Sequence, residues 1–212
     1  MSKFLIADDH PLFREALIGA LTPRFDNLEI VESDSLETTL IALQQSTDYD
    51  LILLDLTMPG CDNFYGVIKV VQDFPNVPVA VISASDSLAV ISQVLSFGAR
   101  AFIPKSTASQ NIAEAIELVL KGERWLPEGI EADLGTVTHE QRAIADKVSE
   151  LTPKQFQVLT LLQGGLLNKQ IAFDLNVTEA TVKAHISAIF KKFGVNTRTQ
   201  AVLLVEKLQH DL

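Results

Sequence analysis

The chain has 212 residues, enough for two small domains, and with 47% hydrophobic against 21% charged residues it is not a disordered chain. Its single cysteine excludes an internal disulfide framework and fits a reducing compartment. With no leading apolar stretch and no run approaching the roughly 18 residues of a membrane span, the expected setting is the cytoplasm, with no membrane partner. The net charge of -10 is uneven: residues 1–130 carry 8 Lys/Arg against 18 Asp/Glu, residues 131–150 carry 2 against 5, and residues 151–212 carry 7 against 4, an asymmetry that suggests nucleic-acid contact at the C-terminal end only.

Residues 1–125 alternate short aliphatic runs with stretches of helical spacing. The runs at 4–7, 28–31, 51–54, 77–82 and 101–103 predict strands. Leu12, Ala16, Leu17, Ala20 and Leu21 share a helical face, as do Leu88, Ile91, Val94 and Leu95, and then Ile112, Ala115, Ile116 and Val119. Strand then helix, five times over, predicts an α/β doubly wound fold: a parallel sheet with helices on both faces. The runs 51–54 and 79–82 are apolar at successive positions, as expected of strands buried on both sides. Pro75 and Pro78 bracket a turn before the fourth strand.

Pro127, Gly129 and Gly135 mark 126–137 as a linker, and 139–150 is polar with enough helical spacing for a connecting helix, so 126–150 joins two domains, 1–125 and 151–212. The second carries only helical signals. Thr152, Pro153 and Gln155 form an N-cap, a first-turn proline and a capping box. Gly164-Gly165 ends that helix, Asn168 is placed to cap a short one through Leu175, Asn176-Val177 turns, and Thr178 caps a helix ended by Gly194. A last helix is expected over 198–208.

In an open parallel sheet, chemistry collects beyond the carboxyl ends of the strands. Asp8-Asp9 end the first strand, Asp55 the third and Ser83 the fourth, and Lys105 follows the fifth. Three carboxylates at one rim repel one another unless a cation joins them, and an all-oxygen set suits Mg²⁺. A hydroxyl and an ammonium beside them suit a phosphoryl group, which an aspartate can itself accept. Taken singly these residues read more simply, as helix caps or a loop lysine; their placement at four of five strand ends argues for a site. A phosphoryl-handling enzyme would need a substrate pocket and a separate general acid, and His10 beside Pro11 shows no evident partner in the sequence.

A helix, a tight turn and a second capped helix within about 25 residues form a helix-turn-helix pattern. Ile171, Ala172, Leu175, Val177, Val182 and Ile186 are spaced to pack the two helices, while Thr181, Lys183, Ala184, Ser187 and Lys191 fall on the outer side of the second. The same spacing also fits a small helical bundle that binds a protein.

Residues 1–125 resemble the receiver domains of two-component response regulators in Leu5-Ile6-Ala7-Asp8-Asp9-His10, Leu53-Leu54-Asp55-Leu56-Thr57-Met58-Pro59-Gly60, Val81-Ile82-Ser83-Ala84 and Gly98-Ala99-Arg100-Ala101-Phe102-Ile103-Pro104-Lys105. That resemblance implies strand order 2-1-3-4-5, Asp55 as phosphoacceptor from a cognate sensor histidine kinase, and Mg²⁺ held by Asp9, Asp55 and the Thr57 carbonyl, with Asp8 acting mainly through water. It also implies Lys105 on the phosphoryl oxygens, and Ser83 and Phe102 as a switch pair in which the hydroxyl moves to the phosphoryl group and the ring follows inward. The stretch Cys61-Asp62-Asn63-Phe64-Tyr65-Gly66 is less usual for that family.

Residues 151–212 are similar to the four-helix LuxR/FixJ-type output domain in Leu151-Thr152-Pro153-Lys154-Gln155-Phe156-Gln157-Val158-Leu159, Asn168-Lys169-Gln170-Ile171-Ala172, Thr181-Val182-Lys183-Ala184-His185-Ile186 and Phe193-Gly194-Val195-Asn196-Thr197-Arg198-Thr199-Gln200-Ala201. This implies double-stranded DNA as partner, with helix 179–193 in the major groove, Lys183, Ala184 and Ser187 at bases, Lys169, Thr181 and Lys191 along the backbone, Asn168 as a further DNA-binding residue, and helix 198–208 as a dimer contact. Gln155 and Gln157 stand where that family usually has glutamates, and Ser187 is shorter than its usual counterpart. The function expected is a transcriptional regulator rather than an enzyme, binding DNA as a homodimer on phosphorylation, with RNA polymerase as a further partner. The alternative is a DNA-binding protein whose receiver serves only as a phosphorylation-independent dimerisation module.

Overall fold

Five strands and the helices between them alternate along the N-terminal half in the computed structural model, which describes residues 2–210 apart from 47, 86, 128–129 and 131–138. They are β1 (Ser2–Ala7), α1 (Pro11–Leu21), β2 (Leu28–Ser33), α2 (Leu36–Gln45), β3 (Leu51–Asp55), α3 (Tyr65–Asp73), β4 (Val79–Ser83), α4 (Leu88–Ser96), β5 (Ala101–Pro104) and α5 (Ser109–Leu120). The sheet is parallel in the order β2-β1-β3-β4-β5, the doubly wound architecture expected.

Alternation along the strands sends Phe4, Ile6, Leu51, Leu53, Ala80, Ile82, Ala101 and Ile103 into one core with Leu17 and Leu21 of α1 and Ile112 and Ile116 of α5. The intervening residues, among them Leu5, Ile52, Val81 and Phe102, are equally buried, and α2, α3 and α4 contact strands of the sheet. Each fully buried Leu or Ile is worth roughly 1.5–3 kcal/mol. Continuous apolarity in β3 and β4 is thus the mark of two covered faces. β4 starts at Val79 rather than at the expected 77, because the Val77 amide turns back to the Phe74 carbonyl and Pro78 has no amide to give. At the outer edge of β5, Trp125 makes a single parallel bridge to Ala101, donating to the Arg100 carbonyl and accepting from the Phe102 amide.

Two compact units divide the chain, Met1–Val137 and Thr138–Leu212. Most of the stretch expected as a linker, 126–137, lies outside the described residues. The second unit is helical: α6 (His139–Ser149), α7 (Pro153–Gln163), α8 (Asn168–Asp174), α9 (Glu179–Phe193) and α10 (Arg198–His210). The connecting helix expected within 139–150 forms and packs against α9 and α10. Lys147 of α6 donates to the Phe193 carbonyl at 2.9 Å, and Lys192 of α9 donates to the Glu150 carbonyl at 2.5 Å. Each cation thus binds carbonyls at or just past the other helix's C-terminus, where the dipole favours it. Among the described residues no helix is long and apolar enough to cross a membrane.

Candidate functional site

The carboxyl ends of β1 and β3 bring Asp8 and Asp55 together, both buried. Lys105, just past β5, reaches back so that its Nζ lies 2.8 Å from Asp8 Oδ2 and 3.0 Å from Asp55 Oδ2. Its backbone amide donates to the Ser83 carbonyl at 2.7 Å, which locks the ends of β4 and β5 in register. Burial alone would lower the pKa of this ammonium, but the hydrogen bonds it donates to Asp8 and Asp55, and their charges, outweigh that and hold it above its ordinary value. It therefore stays protonated at neutral pH.

Thr57 closes the pocket from the loop after β3. Its amide donates to Asp55 Oδ1 at 3.3 Å, and its hydroxyl lies 3.1 and 3.0 Å from Oδ1 and Oδ2. Gly60, at φ 89°, lets this loop turn under α2, where the Leu36 amide donates to the Pro59 carbonyl. In the unusual stretch that follows, Asp62–Phe64 form a 3₁₀ turn, Phe64 takes φ 63°, and α3 begins at Tyr65.

Ser83 ends β4 buried, its Oγ accepting from the Ser85 amide at 3.2 Å. Phe102 is fully buried on β5. The ring comes from β5 into the packed sheet, where burying it is favourable without any phosphoryl group.

Three residues of the pocket escaped the reading of the strand ends. His10 has partners after all: its Nδ1 lies 2.7 Å from Asp9 Oδ1 and 3.3 Å from Asp8 Oδ1. Phe13 places its ring 4.9 Å beneath the Lys105 ammonium, and Arg14 donates from Nη1 to the Asp8 carbonyl at 2.6 Å and from Nε to Glu32 at 2.8 Å. The signal for them is positional, since the first turn of α1 must pass over the end of β1. One oxygen each of Asp8, Asp9 and Asp55 and a ring nitrogen of His10 lie within 4.8 Å of one another, a donor set that fits a divalent cation.

In the helical unit, Thr178 caps α9 by accepting from the Thr181 amide at 3.1 Å, with the two hydroxyls 2.9 Å apart. Val182, Ile189 and Phe193 are buried, whereas Lys183, Ala184, Ser187 and Lys191 are exposed along the opposite side at helical spacing. Thr181 is half-buried, and the Ser187 hydroxyl donates to the Lys183 carbonyl at 2.9 Å. On α8, Lys169 is exposed and Asn168 is half-buried. Two expectations are corrected. The cap of α8 is Leu167, not Asn168: the Leu167 amide donates to Gln170 Oε1 at 2.7 Å, so Asn168 is already helical. Val177 is 40% exposed rather than packed between the helices, because Asn176 turns the chain outward at φ 52°.

An aspartate pocket on a doubly wound sheet, in one chain with a helix-turn-helix unit, defines a class of phosphoryl-sensing regulators that act on nucleic acid. Residues 4–117 match the model of the response regulator receiver domain, and residues 149–205 that of the bacterial regulatory proteins of the luxR family. The chain is 41% identical to the glycerol metabolism activator of Pseudomonas putida, over 96% of this chain and 94% of that protein. It is 31% identical to the nitrate/nitrite response regulator protein NarL of Escherichia coli K12, over 97% and 95%. Among solved structures, RcsB of Salmonella enterica serovar Typhimurium, bound to a promoter in the presence of the phosphomimetic BeF3⁻, matches with TM-score 0.55 and 25% identity over 96% of this chain and 97% of that one. The chain belongs to the two-component response regulators that pair a receiver domain with a LuxR-type DNA-binding domain, and it is a DNA-binding transcriptional regulator.

Proposed function

We propose that phosphorylation of Asp55 by a cognate sensor histidine kinase in the cytoplasm switches this protein into a homodimer that binds double-stranded DNA. The observation that carries this is the buried Asp55 carboxylate held at 3.0 Å by Lys105, at the end of the central strand. A carboxylate oxygen of Asp55 bonds to phosphorus as the donor's phosphorus–nitrogen bond breaks and the departing imidazole is protonated. Lys105 shifts its charge to the phosphoryl oxygens, and Ser83 turns its hydroxyl toward them from the end of β4. Asp9, Asp55 and the Thr57 carbonyl would hold Mg²⁺, with Asp8 acting through water; when bound, the ion supplies charge neutralisation for the incoming phosphoryl group. The chain carries out its own phosphoryl acceptance but turns over no separate substrate, so it is not an enzyme.

The added group brings about -1.5 to -2 charges and shifts the receiver between two states in which Ser83 and Phe102 are the switch pair. The receiver spans 1–125, the linker 126–150 and the DNA-binding domain 151–212. Helix α9 enters the major groove with Lys183, Ala184 and Ser187 at base edges, while Asn168, Lys169, Thr181 and Lys191 hold the backbone and α10 pairs two copies. That RcsB was solved on a promoter with a phosphomimetic supports this coupling, and the name of the glycerol metabolism activator supports an activating role.

Incubation with Mg²⁺ and acetyl phosphate tests the first step. The expected result is a mass increase of one phosphoryl group in the wild type and none in Asp55→Asn. An unmodified wild type, under conditions where another receiver reacts, would refute the switch and favour the phosphorylation-independent dimerisation module.

A further inference from the structure

We propose that a groove at the base of the receiver sheet binds a small amphipathic anion, a single carboxylate or phosphate group on an apolar body. The groove lies at the amino ends of β4 and β5, the opposite ends of the strands from Asp8 and Asp55, and the inference does not depend on the phosphoryl reading.

Three segments meet to form it. Val71 in the last turn of α3, Pro75 and Pro78 in the loop to β4, and Val119 and Leu120 at the end of α5 line a space of about 400 Å³. That falls within the range of small-molecule sites, roughly 300–1,000 Å³. Gly98 keeps the wall open: at φ 106° it suits a residue without a side chain, and an added Cβ would come within 2.8 Å of Val71 Cγ1. Arg100 is the charged residue among those lining the groove, and its amide donates to the Val79 carbonyl at 2.7 Å, which fixes the backbone from which the side chain leaves.

Charge says what the groove takes. Residues 1–130 contain eight Lys/Arg, and five of them, Lys3, Arg14, Arg24, Lys69 and Lys105, form ion pairs. The other three, Arg100, Lys121 and Arg124, are exposed and have no ion pair among the described residues, and all three fall at this groove. Lys121 stands between the lining residues Leu120 and Gly122. Arg100 and Arg124 each precede one residue of the parallel bridge between Ala101 and Trp125, so their backbones run side by side, about 4.8 Å apart. Like charges in such positions destabilise one another unless an anion joins them. Glu123 pairs with none of the three among the described residues, although it lies in the same turn. The cations thus supply a headgroup site and the valines and Leu120 an apolar one. The competing account makes the three cations solvated surface charges and the groove an empty surface feature.

Amide shifts of the ¹⁵N-labelled full chain separate the two. The probes are hexanoate and hexyl phosphate, with butanoate, inorganic phosphate and hexanol as controls, all at one pH and ionic strength. The expected result is saturable binding of hexanoate or hexyl phosphate that moves the amides of Val71, Gly98, Arg100 and Gly122, the tighter of the two identifying the headgroup. Butanoate is expected to bind about fourfold or more weakly than hexanoate, because two methylenes leave the groove. Inorganic phosphate and hexanol, each lacking half of the ligand, are expected to bind more weakly than hexyl phosphate. Arg100→Gln and Arg124→Gln are each expected to weaken the anion by about fivefold while leaving hexanol unaffected. No saturable shift with either amphipathic anion, equal affinity for hexanol, or an affinity unchanged in both arginine variants overturns the assignment. Groove amides that shift with protein concentration instead of ligand would mark a contact between copies and overturn it as well.

Discussion

Cys61 lies buried behind the pocket, against the backbone of Gly66, where an added Cβ would overlap its sulfur. Burial first, and then the charges of Asp55, Asp62 and Asp9, push its thiol pKa well up. The folded chain therefore keeps this proton after the unfolded chain has lost it. The contribution is complete below the unfolded thiol's pKa of about 8.5 and is lost as pH rises above that, at a slope approaching 1.4 kcal/mol per pH unit. Tyr65 is shifted the same way, but from about 10, so the range just above pH 8.5 isolates the thiol. Thermal unfolding of Cys61→Ala is expected to be offset from the wild type by a constant amount below about pH 8, and then to show a shallower alkaline decline than the wild type up to about pH 9.5. Parallel curves would show that another group causes the decline.

At the scale of elements, the α6–α7 junction turns on Gln155. Its Oε1 accepts both from the Thr152 amide at 3.1 Å, completing the capping box, and from Lys192 at 2.7 Å. A carboxylate in that position serves both partners better, because it complements the helix N-terminus and makes the Lys192 bond charge-assisted. Gln155→Glu is thus expected to raise stability by about 0.5–1 kcal/mol in urea denaturation, and a neutral or destabilising result would show that Lys192 does not track the new charge. The capping box at Thr152 and the cap at Thr178 were legible in the sequence because their bonds run between residues three apart. Asn168 was not: a polar residue beside a helix start looks like a cap, while the bond actually used is donated by the amide of Leu167, a residue with no capping group of its own, to the Gln170 side chain. The same contrast holds in the pocket. Asp8, Asp9, Asp55, Ser83 and Lys105 were legible as strand ends, whereas Phe13, Arg14 and the His10 pairing depend on where α1 crosses the sheet, which spacing alone does not give.

The molecule as a whole separates two kinds of charge along one chain. Residues 1–130 hold most of the negative charge and the acidic pocket, and residues 151–212 hold a positive excess and α9, with Lys183 and Lys191 on its exposed side. Their coupling is the central claim, and selection from a random duplex library tests it most directly. Full-length wild type and Asp55→Asn are each incubated with Mg²⁺, with and without acetyl phosphate, and bound DNA is recovered at a fixed salt concentration, since phosphate contacts make affinity steeply salt-dependent. The expected result is enrichment of paired half-sites about one helical turn apart in the wild type with phosphodonor, and far weaker enrichment in the other three samples. Equal enrichment of the same sites in all four would contradict the account, leaving a DNA-binding protein whose aspartate pocket does not control it.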